Sequence, residues 1–476
     1  MLKLKHLFTF ALFVQFSLTF SQKGTHSPYS IFGIGELNTN QYAGYAAMAG
    51  VGMANTDSTM INQMNPASYS YLHRHKPVFQ VGMNGRLSRF ETSATSTDQR
   101  HFGLNQFQLG LPIKKRWGAA FGVKPYSFSG YTVSNYVVEE GDTTQQFINE
   151  GSGGISMVYL GVSAMPIKKS MRKPKIKDGD TLYVVRSSHK LSLGVNGNYL
   201  FGSAIRKRSF EYVWPILGWN SRVEKSLRVS DFMVDFGVNY EYLFQSDSTG
   251  GAFSFGAAYS PGRSVRAFED LLSYTYSGSF YNGLAPSITD TIEHVLDNQG
   301  TIRIPESYKV GLEYRIGPKR NKSSVVRIGA DIKYQRWSTY SENFGSSFDN
   351  NLKDRLSLSA ALEWTPQTIV TARSNSSSFL SRIHYRIGFD YTQTELQVLN
   401  SQEEFQSIDD YGMSFGLGIP VGLMINSNTN INFGAKFGKL GTTDNGLIQE
   451  RYIGLYFGLS ITPGRGNYWF VKRKYN

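Results

Sequence analysis

A two-residue rhythm of apolar and polar side chains, repeated over segments of roughly ten residues, most limits what this chain can become. Tyr308, Val310, Leu312, Tyr314 and Ile316 alternate with Lys309, Gly311, Glu313 and Arg315. Leu356, Leu358, Ala360, Leu362 and Trp364 alternate with Ser357, Ser359 and Glu363, and the pattern returns at 232–242 and 383–391. Successive side chains of a strand point to opposite faces, so each segment has one greasy and one wet side. About fourteen such segments follow residue 77, each near the length of a tilted membrane-crossing strand. Their centres fall near Gly82, Gln108, Phe121, Gly161, Val195, Phe236, Phe255, Gly311, Asp331, Ala360, Phe389, Phe415, Phe433 and Tyr456. An even number of strands closes a bacterial single-chain barrel.

A soluble sandwich alternates too, so the choice rests on other features. Lys3 and Lys5 precede an apolar run from Leu7 to Phe20, with Thr19 and Ser21 at small-residue positions before Gln22. That is the pattern of a cleaved export signal, and the run is shorter than a spanning helix requires. Tyr, Phe and Gly (29, 32 and 48 of 476 residues) suit strands with close backbone contacts. Trp117, Tyr126, Trp337, Tyr340, Trp364, Tyr391 and Tyr411 fall near strand ends, where a membrane interface belt would want them. Connections alternate between short turns such as 114–116 and 245–249 and long loops such as 261–303. That alternation predicts long loops outside the cell and both barrel ends in the periplasm.

Residues 27–69 read differently: Gly, Ala, Met, Asn and Ser dominate, charge is almost absent, and neither helical nor strand periodicity appears. Such a stretch cannot fold alone, but its small residues suit close packing inside a barrel. The expected organisation is a signal peptide over 1–21, an N-terminal hatch over 22–77, and a transmembrane barrel with a short basic tail over 78–476. The fold class is therefore all-β: a single transmembrane antiparallel barrel of about fourteen strands with the hatch inside its lumen. Glu313, Arg315, Asp331, Lys333, Glu363, Arg386 and Asp390 would face that lumen and satisfy one another.

Signals for chemistry are weak. The formal charge of +13 is dispersed over turns such as Lys114, Lys115 and Arg116, which argues against nucleic acid. No cysteine is present, which removes disulfides, thiolate metal sites and a lipid-anchored Cys. Gly33-Ile34-Gly35, Gly50-Val51-Gly52 and Gly416-Leu417-Gly418 do not open helices after strands, so they are packing glycines rather than a nucleotide loop. His73 and His75 lack a third ligand nearby, and Glu139-Glu140, Glu403-Glu404 and Asp409-Asp410 sit beside loops as surface charge. The reading contains no catalytic residue, no metal site and no cofactor.

Ser27 to Gly35, Met48 to Ala54 and above all Asn65, Pro66 and Ala67 resemble the N-terminal hatch of the FadL/TodX-type outer-membrane transporters of long-chain fatty acids and other hydrophobic compounds. Ile304 to Tyr308 with Gly311, and the closing Trp469 to Lys474, are similar to a divergent branch of that family. The resemblance implies a fourteen-stranded barrel in the outer membrane, gated by the hatch, which admits small hydrophobic molecules passively. It makes Asn65, Pro66 and Ala67, with Gly50 and Gly52, the hatch motif, and Pro125 the candidate for a lateral gap. Expected partners are membrane lipid, a hydrophobic small molecule, and periplasmic or secretion proteins. The alternative function is a barrel that transports nothing and serves as scaffold or accessory subunit in protein secretion or surface assembly.

Overall fold

The structure, a computed structural model, describes residues 24–463 apart from 40, 74–75, 140–141, 178–179, 213–217, 246–248, 281–285, 319–323, 346–350, 367–378 and 422–428. The signal peptide, His75 and the basic tail lie outside these residues. Fourteen wall strands close an antiparallel barrel. In chain order they are β1 (Val78–Glu91), β2 (Ser96–Lys114), β3 (Trp117–Phe128), β4 (Asp142–Lys177), β5 (Asp180–Tyr212), β6 (Asn220–Gln245) and β7 (Thr249–Ser260). There follow β8 (Ser307–Pro318), β9 (Val325–Gln335), β10 (Arg355–Thr365), β11 (His384–Leu399), β12 (Phe405–Val421), β13 (Thr429–Leu440) and β14 (Gln449–Ile461). Each pairs with its chain neighbours, and β14 closes the ring on β1 through Gln449↔Glu91 to Ile461↔Phe79. All fourteen centres read from the sequence fall within these strands.

Alternation decides which face meets what. On β8, Tyr308, Val310, Leu312 and Tyr314 are exposed on the outside while Glu313 is buried inside. The same division holds on β10 for Leu358, Leu362 and Trp364 against Glu363. A continuous exposed apolar band of this kind is tolerated where lipid, not water, is the solvent.

The long connections expected as loops are largely strand. β4 runs for 36 residues and β5 for 33, well past the length a bilayer needs. At the end bearing the odd-numbered connections, Tyr131–Glu139 pairs with β4, and the hairpin of Arg263–Ser277 and Ser287–Ile304 pairs with β6. The result is a tall sheet standing on one side of the barrel mouth. At the other end the β4–β5 ladder runs on from Lys169↔His189 to Lys177↔Asp180.

Three of the aromatic assignments are corrected. Trp337 opens a 3-10 turn (Trp337–Thr339) that Tyr340 closes; they are 2% and 3% exposed, their rings tilted at 34° with centroids 5.6 Å apart in the protein interior. Tyr126 lines the lumen. Trp117 and Trp364 do face outward.

Candidate functional site

The lumen is occupied by the N-terminal segment, and glycines make the room. Residues 42–72 travel round the inner wall against the chain order, from β14 at Tyr42 to β2 at Leu72. Twelve of the fourteen strands carry a glycine where an added Cβ would press on this segment. At Gly256 it would lie 2.0 Å from the Met53 carbonyl oxygen, and at Gly194 2.4 Å from the Pro66 backbone. Bare backbone on the wet face of the wall lets a second backbone lie directly against it.

The Asn65 motif sits at the centre of this contact. Pro66 opens a 3-10 turn (Pro66–Tyr71) at the position where its missing N–H costs nothing. Asn65 caps that turn, its Oδ1 accepting from the Ala67 amide at 3.1 Å. Its Nδ2 donates to the Met53 carbonyl at 2.8 Å and the Val238 carbonyl of β6 at 2.9 Å, so one side chain joins turn, segment and wall. Ala67 is fully buried, and Pro66 rests against Gly194 and Gly237. Tyr69 donates to Asn196 at 3.0 Å, and burial holds its phenol well above its usual pKa.

Gly50 and Gly52 meet the opposite wall. Gly50 takes a left-handed φ of 75° and its carbonyl accepts from Lys333 Nζ at 2.9 Å. The amides of Gly52 and Met53 donate to Asp331 Oδ2 at 2.8 and 3.1 Å. A ladder of charge lies next to them: Arg386 Nε reaches Glu363 at 2.6 Å, Arg327 lies 3.4 Å from Glu313 and 3.7 Å from Glu363, and Asn55 donates to Glu313 at 3.3 Å. Of the expected lumen charges, Glu313, Glu363 and Arg386 are paired within this ladder, while Asp331 and Lys333 bond to the backbone of the segment.

Pro125 stands at a seam. β2 and β3 pair only as far as Phe107↔Val123, and beyond that point β2 pairs with β1 alone. The freed edge of β3 takes up Glu36–Leu37, with Glu36↔Phe128 and Leu37↔Ser127. Asn38 Nδ2 donates to the Pro125 carbonyl at 3.0 Å and to Asn105 Oδ1 at 3.2 Å, while Asn105 Nδ2 donates to the Gln41 carbonyl at 3.2 Å. On its other side Pro125 marks a register shift against β4. Asn105, which the sequence reading passed over, is the extra residue of a bulge between Gly82↔Gln106 and Met83↔Leu104. Its trace was visible: apolar residues at 102 and 104 are followed by one at 107, a three-residue step in a two-residue rhythm.

A cavity of about 230 Å³ opens beside the segment. It adjoins the seam at Asn38 and Pro125, and its wall includes Lys124, Asp235, Lys309, Lys333, Arg355 and Asp390 beside Met157 and Met233. At the tall end an apolar cluster packs Tyr29 and Ile34 of the N-terminal segment with Leu227, Val265, Ile302, Trp337 and Ile408.

The full sequence matches the family model of BamG over residues 1–172 and 183–476. The chain belongs to the BamG family. No curated protein matches it. Among solved structures, this BamG-family barrel is similar to the toluene transporter TbuX of Ralstonia pickettii, at 11% identity and a TM-score of 0.47 over 89% of this chain and 98% of that one. A FadL homologue of Pseudomonas aeruginosa aligns at 12% identity and a TM-score of 0.48, over 90% and 99% of the two chains. The toluene transporter TodX of P. putida gives 14% identity and a TM-score of 0.47, over 90% and 99%.

Proposed function

We propose that this outer-membrane barrel is a scaffold or accessory subunit in protein secretion or surface assembly rather than a conduit. One observation carries the reading: eight charged side chains line the lumen cavity, among apolar ones such as Met157 and Met233. A hydrophobic molecule entering a cavity lined by Lys124, Asp235, Lys309 and Lys333 would strip water from ions and return no partner to them. The apolar cluster at the tall end and the glycine-seated segment below it add material, not passage. Membership of the BamG family, whose name points toward an assembly partner, agrees.

A second reading is favoured by the seam. If Glu36 to Asn38 withdrew, the cavity would open sideways between β2 and β3 beside Pro125, as a hatch-gated channel for hydrophobic molecules requires. Reconstituted vesicles decide between the two. The full chain is tested for toluene and oleate uptake against empty vesicles, and for a stoichiometric complex with other outer-membrane proteins extracted in mild detergent. Uptake at the level of empty vesicles together with a stable complex is expected; saturable uptake by the barrel alone sinks the scaffold reading.

A further inference from the structure

We propose that the lumen cavity is a binding site for a small phosphate-bearing anion. The argument starts from register. Lys309 of β8 and Lys333 of β9 are direct cross-strand partners, both on the inner face, and both line the cavity. Like charges placed directly opposite each other destabilise a sheet. Among the described residues no carboxylate lies within 4.0 Å of either, nor of Lys124, which faces them from β3. Lys333 has only the Gly50 carbonyl, at 2.9 Å.

The other cations of the cavity are already matched. Arg355 pairs with Glu395 at 2.7 Å, and Lys436 pairs with Asp390 at 2.7 Å and Asp410 at 3.6 Å. Against the three free lysines stand Asp235, which accepts a hydrogen bond from Asn198 at 2.7 Å, and one of the two aspartates that share Lys436. An excess of one positive charge therefore faces the cavity, concentrated at the Lys309–Lys333 pair. Uncompensated charge in such a place is costly, and an anion inside removes the cost.

A phosphomonoester, with a charge of about −1.5 to −2 at neutral pH, covers that excess, and lysine is a natural partner for its oxygens. At about 30 Å³ per water, 230 Å³ holds the phosphate with a substituent the size of glycerol beside Met157 and Met233. The group could arrive free, or as the headgroup of a lipid entering at the β2–β3 seam.

The test uses the full chain in dodecyl maltoside at constant ionic strength. Inorganic phosphate and dihexanoyl phosphatidic acid are titrated calorimetrically, with sodium chloride as blank. One-to-one saturable binding is expected, weakened about tenfold or more by Lys309→Gln or Lys333→Gln and unchanged by Lys115→Gln in an exposed turn. Because Lys309→Gln relieves a repulsion, the variant should unfold at a higher temperature than the parent without phosphate, and lose the parent's further rise when phosphate is added. Binding of both probes points to free phosphate, and binding of the phosphatidic acid alone to a lipid source; both support the site. No saturable binding, or equal binding by the Lys309→Gln and Lys333→Gln variants, overturns it.

Discussion

At the tall end Tyr29 and Ile34 are held by grease, packed among Leu227, Val265, Ile302 and Trp337. At the waist Gly52, Met53 and Asn65 belong to the same segment but are held by hydrogen bonds and bare backbone, through Asp331, Val238 and the wall glycines. Apolar burial is non-directional and forgives small shifts, whereas a charged acceptor beneath two amides fixes position within tenths of an ångström. The N-terminal segment is therefore stabilised at one end and positioned at the other. Substitutions can break or sharpen that division.

The largest effect should come from the tall end. Trp337→Ala removes a side chain that is 2% exposed and leaves a cavity in the main apolar cluster. A loss of about 3–5 kcal/mol is expected, read as a lower temperature at which the barrel loses its fast-migrating folded form on a detergent gel. If a waist substitution costs more than this one, the division of labour is reversed.

Next comes Gly256→Val. Its new Cβ would lie 2.0 Å from the Met53 carbonyl, and because the neighbour is backbone it cannot rotate away. About 3 kcal/mol should be lost, with the segment 24–77 becoming open to protease. Gly103→Val, where nothing lies within 4 Å, should stay within about 0.5 kcal/mol. Equal outcomes would mean that the glycines reflect strand turnover in lipid rather than seats for the segment.

Asp331→Ala tests positioning directly. It strands the amides of Gly52 and Met53 without an acceptor at a cost of about 2 kcal/mol, and Asp331→Asn, which keeps a carbonyl oxygen, should cost about half of that. Identical losses for the two variants would show that the acceptor's charge contributes nothing.

The ease of reading these regions in advance follows the same physics. The wall strands were legible because lipid outside and ions inside impose the alternation residue by residue, as at Leu312 and Glu313. The tall sheet was not, since past the bilayer the outer face meets water: 142–146 and 206–208 are polar on both faces and read as loop. Trp337 and Tyr340 were read as interface residues because an aromatic pair near a strand end looks alike whether it anchors in lipid or folds under a hairpin. Asn65, Pro66 and Ala67 were legible as a local turn, whose capping logic lies within three residues. Their wall partners were not: Gly52 and Asp331 are 279 residues apart, and Ala49 donates to Ser414 across 365. Nothing local in a sequence marks such pairings.

The smallest effect is expected at the seam, and it is the most telling for function. Asn105 is the bulge residue that receives Asn38 and holds Gln41, while Leu37 pairs with β3 through its backbone and packs against the apolar cluster. Asn105→Ala should cost only about 1 kcal/mol of global stability, since the Glu36–Leu37 pairing and the buried neighbours of Ile34 persist. Local opening should respond more clearly than global unfolding, because 1 kcal/mol is roughly a fivefold change in an opening equilibrium. The chain has no cysteine, so Leu37→Cys supplies a single reporter whose maleimide labelling measures that opening. About fivefold faster labelling with Asn105→Ala is expected, and if toluene uptake stays at background while labelling accelerates, an opened seam is not a transport route. If uptake rises in step with labelling, the seam is the gate, and the charged cavity behind it is an obstacle that the barrel has found a way around.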